Sequence, residues 1–98
     1  MMRVVYRWRV APANVEKFRA AWAKATTGIR ESTRGARGSV LLQSHDDPTE
    51  FITMARWDDV ADWQAFWQDS TRTEMQVMHV LAQRLSADAF EEIEDHSV

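Results

Sequence analysis

Two side chains of this 98-residue sequence, His79 and Tyr6, have the chemistry to hold or move a proton. The imidazole of His79 has an ordinary pKa of about 6.5, which suits proton transfer near neutral pH. His79 follows Met75 by one helical turn, so it adjoins the apolar stripe of a predicted helix, where a neutral imidazole could act as a general base. The alternative is a histidine at the edge of the core that is hydrogen-bonded to backbone or water.

Tyr6 lies in an alternating segment with Trp8, and both side chains are predicted on the strand face that the helices cover. The phenol of Tyr6 could hydrogen-bond or orient an aromatic ligand. Alternatively, both residues are core aromatics whose polar atoms are satisfied.

Large aromatic side chains form the second candidate group, since the chain has five tryptophans. Those on the predicted helices recur at helical spacing and could form a flat slot for an aromatic ligand, although the same spacing is typical of a core. Trp57, at the end of a strand, is expected to have a structural role rather than to bind a ligand. The predicted substrate-binding residues are Trp8, Trp22, Trp63, Phe66, Trp67 and Met75.

Other kinds of site are poorly supported. His45 stands in an acidic turn and His96 near the C-terminus, and the three histidines lack the spacing of a metal site, so no metal is expected. The segment Gly-Ala-Arg-Gly at 35–38 is too short for a phosphate-binding loop and precedes a strand. Zero cysteines exclude disulfides, thiol catalysis and cysteine-based metal centres.

Composition narrows the class of protein further. A content of 45% apolar and 28% charged residues is typical of a globular domain. The chain is expected to form one domain over residues 1–98. A net charge of −3 gives no field for holding nucleic acid. No apolar run approaches the roughly 18 residues of a membrane span, and the N-terminus lacks a signal-peptide pattern. A cytoplasmic protein without nucleic-acid or membrane partners is expected.

Periodicity predicts the elements that must position these residues. Alternation predicts a strand over 3–10, and short apolar runs between turns predict strands over 39–44 and 51–57. The polar, poorly alternating segment 89–94 is more weakly predicted as a short edge strand. A helix capped by Asn14 carries Val15, Phe18, Trp22, Ala25 and Ile29, and a second, capped by Asp58 or Asp59, carries the aromatic stripe. After a break near 69–70, a helical stretch from Thr71 carries Met75, Met78, Leu81 and Leu85.

This order, βαββαβ, predicts the α+β ferredoxin-like fold, in which both helical segments pack on one face of an antiparallel sheet. The second and third strands are apolar on both faces, so the uncovered face is expected to meet a second copy of the chain. Arg3, Arg7, Arg9 and Arg56 are placed on that face, where they form either ion pairs with acidic side chains or an anion site.

Five segments, in this order and spacing, resemble the antibiotic biosynthesis monooxygenase domain family. They are Arg-Trp-Arg-Val-Ala-Pro at 7–12, the helical aromatics of 18–22, the glycine turn at 35–38, Asp-Asp-Pro-Thr-Glu-Phe at 46–51, and Ala-Arg-Trp-Asp at 55–58. The resemblance covers almost the whole chain. It implies a homodimeric α/β barrel formed by two ferredoxin-like sheets, with a ligand pocket between sheet and helices.

The resemblance also implies chemistry, because some family members oxidise phenols or quinols without a cofactor. On that basis we expect a cofactor-independent monooxygenase for a small aromatic molecule, with His79 as base or orienter and Tyr6 as hydrogen-bond partner. A haem-degrading enzyme is one alternative, although Tyr6, Phe66 and Gln76 stand where those members have Asn, Trp and His. A dimeric binding module without catalysis is the other.

Overall fold

The computed structural model describes all 98 residues. Its elements are β1 (Met2–Val10), a 3-10 turn (Pro12–Asn14), α1 (Val15–Ser32), β2 (Ala36–Gln43), β3 (Glu50–Trp57), α2 (Val60–Gln68), α3 (Gln76–Leu81) and β4 (Ala82–Glu91). The strands form one antiparallel sheet in the order β2-β3-β1-β4. This arrangement confirms the predicted ferredoxin-like fold, with the second helical segment divided into two short helices.

Strand β1 lies inside the sheet and supplies much of the core. Its alternation is confirmed, because every second side chain is buried under the helices: Met2, Val4, Tyr6, Trp8 and Val10. The register places Tyr6 between Thr53 of β3 and Ala87 of β4. Tyr6 is thus held on both sides by strand pairing, which fixes the direction of its side chain.

The helices begin in two different ways. Asn14 precedes α1 as predicted but makes no side-chain cap; its amide Nδ2 instead donates to the carbonyl of Leu81 at 3.2 Å and joins the start of α1 to the end of α3. Asp59 caps α2 as predicted, since its carboxylate accepts from the backbone N–H of Asp62 at 2.9 Å. None of the helices is long and apolar enough to span a membrane.

The boundary between the last helix and the last strand differs from the prediction. Helix α3 ends at Leu81, and Leu85 belongs to β4 rather than to the helix. Strand β4 is an edge strand, as predicted, but it begins at Ala82 and pairs with β1 along most of its length.

A β-bulge explains this error. Arg7 of β1 is opposite Ser86, whereas the next residue, Trp8, is opposite Arg84, so Leu85 is an extra residue in β4. An extra residue breaks the period-two alternation by which a strand is recognised. The apolar spacing that continues from α3 then resembles a helix.

Strand β2 begins at Ala36, earlier than the predicted residue 39, because its first residues pair irregularly with β3. Gly38, at the irregularity, has a φ of 94°, and Gly35, in the turn before the strand, has a φ of 81°. Any side chain on Gly35 would also overlap the carboxylate of Asp62. The predicted glycine turn is thus confirmed at Gly35, where the chain enters the sheet.

No helix covers the second face of the sheet, which we call the open face. Register places on it the apolar side chains Val5, Val40, Leu42, Ile52, Met54 and Phe90. Val40 and Leu42 are 50% and 49% exposed. Of the four arginines predicted there, Arg3 pairs with Glu92 at 2.7 Å and Arg7 with Glu50 at 2.9 Å. For these two, ion pairing rather than an anion site is what the structure shows.

Candidate functional site

A groove of about 240 Å³ lies where α2, α3 and β4 meet above β1, and we call it the outer groove. Five predicted site residues line it: Tyr6, Phe66, Trp67, Met75 and His79. Its other lining residues are Asp69, Arg72, Glu74, Gln76 and Arg84. Aromatic rings and charged groups are thus combined in one concave surface, as in many small-molecule sites.

A second cavity, the inner cavity, lies deeper between α1 and the sheet. Its volume is about 50 Å³, and its lining is mostly apolar, with Trp22, Trp57 and Met78 among its residues. Tyr6, Phe66 and Met75 line both cavities, so they form the wall between them. The inner cavity has room for a water-sized molecule but not for a ring system. The outer groove is therefore the candidate ligand site.

Tyr6 lies at the floor of the outer groove and is only 6% exposed. Its ring stacks on Trp67, with centroids 5.8 Å apart, and its hydroxyl oxygen accepts from the indole Nε1 of Trp63 at 3.2 Å. Burial raises the pKa of Tyr6, although the Trp63 hydrogen bond and the charge of Arg84 oppose this. The phenol therefore remains protonated at neutral pH, and its O–H can donate to a ligand.

His79 lies on α3 at the rim of the outer groove. Its ring packs against Trp8, with centroids 5.3 Å apart, and neither ring nitrogen is hydrogen-bonded within the chain. Partial desolvation and then the positive charge of Arg84 lower the pKa of His79. The imidazole is therefore neutral near pH 7, and a free nitrogen can accept a proton.

The four predicted tryptophans are distributed between groove and core. Trp67 lines the outer groove and is 42% exposed, whereas Trp63 lies behind it, 5.5 Å away between centroids, and lines neither cavity. Trp8 is fully buried, with its Nε1 donating to Thr53 at 3.1 Å. The structure therefore places Trp8 in the core, supporting His79 from below. Trp22 lines only the inner cavity.

The segment between α2 and α3 is held by Arg72. Its guanidinium pairs with Glu74 at 2.6 Å and donates to the hydroxyl of Thr33 at the end of α1, also at 2.6 Å. It also lies 5.1 Å from the ring centroid of Phe66. Arg72 lowers the pKa of Glu74, so the two charges neutralise each other. This contact network fixes the wall of the groove that carries Phe66 and Met75.

Arg84 is the groove residue that sequence reasoning missed. Its guanidinium carbon lies 4.6 Å from the ring centroid of Trp67 and 5.6 Å from that of Tyr6. No motif or spacing marks Arg84, because the bulge that turns it toward the groove is invisible in the sequence pattern. The sequence therefore carries no local signal for Arg84.

Residues 1–79 match the family model described as antibiotic biosynthesis monooxygenase. The chain belongs to this family. Solved structures agree on the fold. A protein provisionally named an antibiotic biosynthesis monooxygenase from Bordetella bronchiseptica is 16% identical, with a TM-score of 0.82 over 95% of this chain and 97% of that one. SnoaB from Streptomyces nogalater, described as a cofactor-independent oxygenase, is 17% identical, with a TM-score of 0.77 over 97% and 95%. No curated protein matches the chain.

Three positions of the groove can be compared with haem-degrading members of the antibiotic biosynthesis monooxygenase family. The positions at which the resemblance places the Asn, Trp and His of haem-degrading members hold Tyr6, Phe66 and Gln76, and all three line the outer groove. The fold therefore brings these positions to the same surface as His79 and Arg84. The side chains differ from the haem-degrading set at every one of the three.

Proposed function

We propose that the protein is a cofactor-independent monooxygenase that acts on a small aromatic phenol or quinol bound in the outer groove. One observation carries the proposal: a neutral imidazole with free nitrogens, His79, and a protonated phenol, Tyr6, line the same aromatic-walled groove. Family membership and the fold shared with a cofactor-independent oxygenase support it.

In this mechanism, the substrate ring lies in the groove against Trp67 and Phe66. His79 accepts the phenolic proton, and Tyr6 donates a hydrogen bond to a substrate oxygen and holds the ring in place. The resulting anion is electron-rich and transfers electrons directly to dioxygen. One oxygen atom enters the substrate and the other leaves as water, and the substrate supplies the electrons.

We also propose that residues 1–98 form one domain and that two copies pair through their open faces. The support is an apolar sheet surface in which Val40, Leu42 and Phe90 are about half exposed and which no helix covers. Contiguous apolar patches of this kind usually mark an interface. The outer groove lies on the opposite, helix-covered side of the sheet, so pairing leaves the groove accessible.

The test is oxygen consumption with a panel of phenols and quinols, comparing the natural protein with His79→Ala. The matched control is His45→Ala, since His45 is exposed in a turn outside the groove. We expect turnover that His79→Ala reduces strongly and His45→Ala leaves unchanged. Binding without oxygen uptake would favour the non-catalytic module, and a Soret band on haem titration would favour the haem-degrading alternative.

A further inference from the structure

Three arginines of the chain are half-buried, and two of them are ion-paired. Arg3 lies 2.7 Å from Glu92, and Arg72 lies 2.6 Å from Glu74. Arg84 is the exception, because no carboxylate lies within ion-pair distance and none of its N–H groups donates to another atom of the chain. Withdrawing a charge from water without a partner is unfavourable, so a half-buried, unpaired guanidinium suggests that the partner comes from outside the chain.

The bulge in β4 places Arg84 on the helix-covered side of the sheet. In an unbroken ladder, the residue opposite Trp8 would be Leu85, and the helix-covered side would hold an apolar side chain. The extra residue puts Arg84 opposite Trp8 instead. Bulges commonly turn a side chain toward a binding site, at the cost of regular pairing.

Of the other charges of the outer groove, two neutralise each other and the third is hydrogen-bonded. Glu74 is neutralised by Arg72, and the carboxylate of Asp69 accepts two hydrogen bonds from Thr71, at 3.0 and 2.6 Å. With His79 neutral, two charges of the groove have no ion-pair partner: the exposed carboxylate of Asp69 and the half-buried cation of Arg84. The guanidinium carbon lies over the ring of Trp67, and no atom of the chain accepts from the guanidinium N–H groups, so these are free for a second partner.

We propose that Arg84 binds an acidic group of the ligand, so that the groove selects aromatic molecules carrying a carboxylate over neutral molecules of the same shape. A guanidinium and a carboxylate form two parallel charge-assisted hydrogen bonds, which fix orientation as well as affinity. The inference rests on the proposed function only in taking the outer groove as the ligand site. Arg84 is then the specificity-determining residue, and His79 and Tyr6 act on the ring that it orients.

The test is isothermal titration calorimetry with two matched probes, a hydroxynaphthoate and the corresponding hydroxynaphthamide. We expect the natural protein to bind the acid about tenfold or more tightly than the amide, the range for hydrogen bonds to a charged group. Arg84→Gln should remove this preference while changing amide binding by less than about threefold. Arg84→Met, which keeps the apolar packing on Trp67 without the charge, should behave as Arg84→Gln does.

The matched control is Arg19→Gln, since Arg19 is an exposed arginine on α1 that lies outside the groove. It should leave the preference intact. Equal binding of both probes by the natural protein, no binding of either, or a preference that survives both Arg84 variants would overturn the inference. Calorimetry does not depend on turnover, so an Arg84-dependent preference without oxygen uptake would refute the proposed function and leave this inference standing.

Discussion

Replacing Trp67 by alanine tests whether this side chain belongs to the wall of the groove or to the hydrophobic core. A fully buried aromatic side chain costs about 3–5 kcal/mol when cut back to alanine. Trp67 is 42% exposed, so a little over half of that cost applies, about 2–3 kcal/mol. This figure includes the loss of stacking on Tyr6 and of the contact with the Arg84 guanidinium. For a domain of this size the melting temperature should fall by roughly 10–20 °C.

The same substitution should weaken binding of an aromatic ligand, because it removes the ring that both Tyr6 and Arg84 contact. Urea unfolding at one fixed protein concentration measures the first effect, and calorimetry with a hydroxynaphthoate measures the second. Trp57→Ala is the comparison for stability, since Trp57 is 3% exposed and should lose the full amount. If Trp67→Ala were as destabilising as Trp57→Ala and left ligand affinity unchanged, Trp67 would be a core residue and the groove assignment would be refuted.

Three further outcomes are expected. His79→Ala should lower turnover by about 10²–10⁴-fold with little change in melting temperature. Raising the pH should partly restore the rate, because a phenol of pKa about 10 then ionises without a base. A wild-type rate would leave Tyr6 as the next residue to test. Tyr6→Phe should lower the free energy of unfolding, measured in urea, by about 1 kcal/mol, since the indole N–H of Trp63 loses its acceptor. The same variant should slow turnover, and an unchanged rate would remove Tyr6 from the mechanism. Sedimentation should give a mass of about twice 11.4 kDa. Leu42→Glu on the open face should shift the protein toward monomer. A stable wild-type monomer would contradict pairing through the sheet.

The lowered pKa of His79 also sets a direction for stability against pH. Burial and the charge of Arg84 disfavour the imidazolium in the folded state, so the unfolded chain binds a proton first as pH falls. His79 therefore contributes stability above the ordinary histidine pKa, and that contribution is lost as pH falls toward the lowered value. His79→Gln should flatten this part of the stability profile measured by urea unfolding between about pH 7 and pH 5. An unchanged profile would show that His79 is not desolvated.

Local patterns were sufficient to predict most of the fold. The alternation of β1, the apolar run of β3 and the spacing of Phe18 and Ala25 in α1 are properties of neighbouring residues, and the structure confirms these three elements. The Asp59 cap is equally local. These elements, in their order, were enough to predict the ferredoxin-like sheet. The end of α3 was not predictable, because one extra residue at Leu85 conceals the strand that follows.

The residues that line the candidate groove were predicted in part, because their exposure depends on tertiary packing. Tyr6, Phe66, Trp67, Met75 and His79 meet in one groove, but the sequence could not distinguish Trp8 in the core from Trp67 at the surface. Both are aromatic residues at regular positions, and the difference depends on which helix covers which part of the sheet. Exposure is a tertiary property that periodicity does not contain.

The junction of α3 and β4 connects the base of the proposed mechanism to the charge that assists it. Ala82 both ends the helix and starts the strand, so no loop separates His79 on α3 from Arg84 on β4. The bulge then turns Arg84 into the groove that His79 lines. There the cation has two effects: it adds to desolvation in lowering the pKa of His79, which keeps the base neutral, and it offers free N–H groups to the acidic group of the ligand. Arg84→Gln should therefore raise the pKa of His79 toward its ordinary value, which NMR titration of the imidazole would show, while also weakening anion binding. A single irregularity in one edge strand thus has two electrostatic effects: it favours the neutral form of the base, and it places a cation where it can orient an acidic ligand.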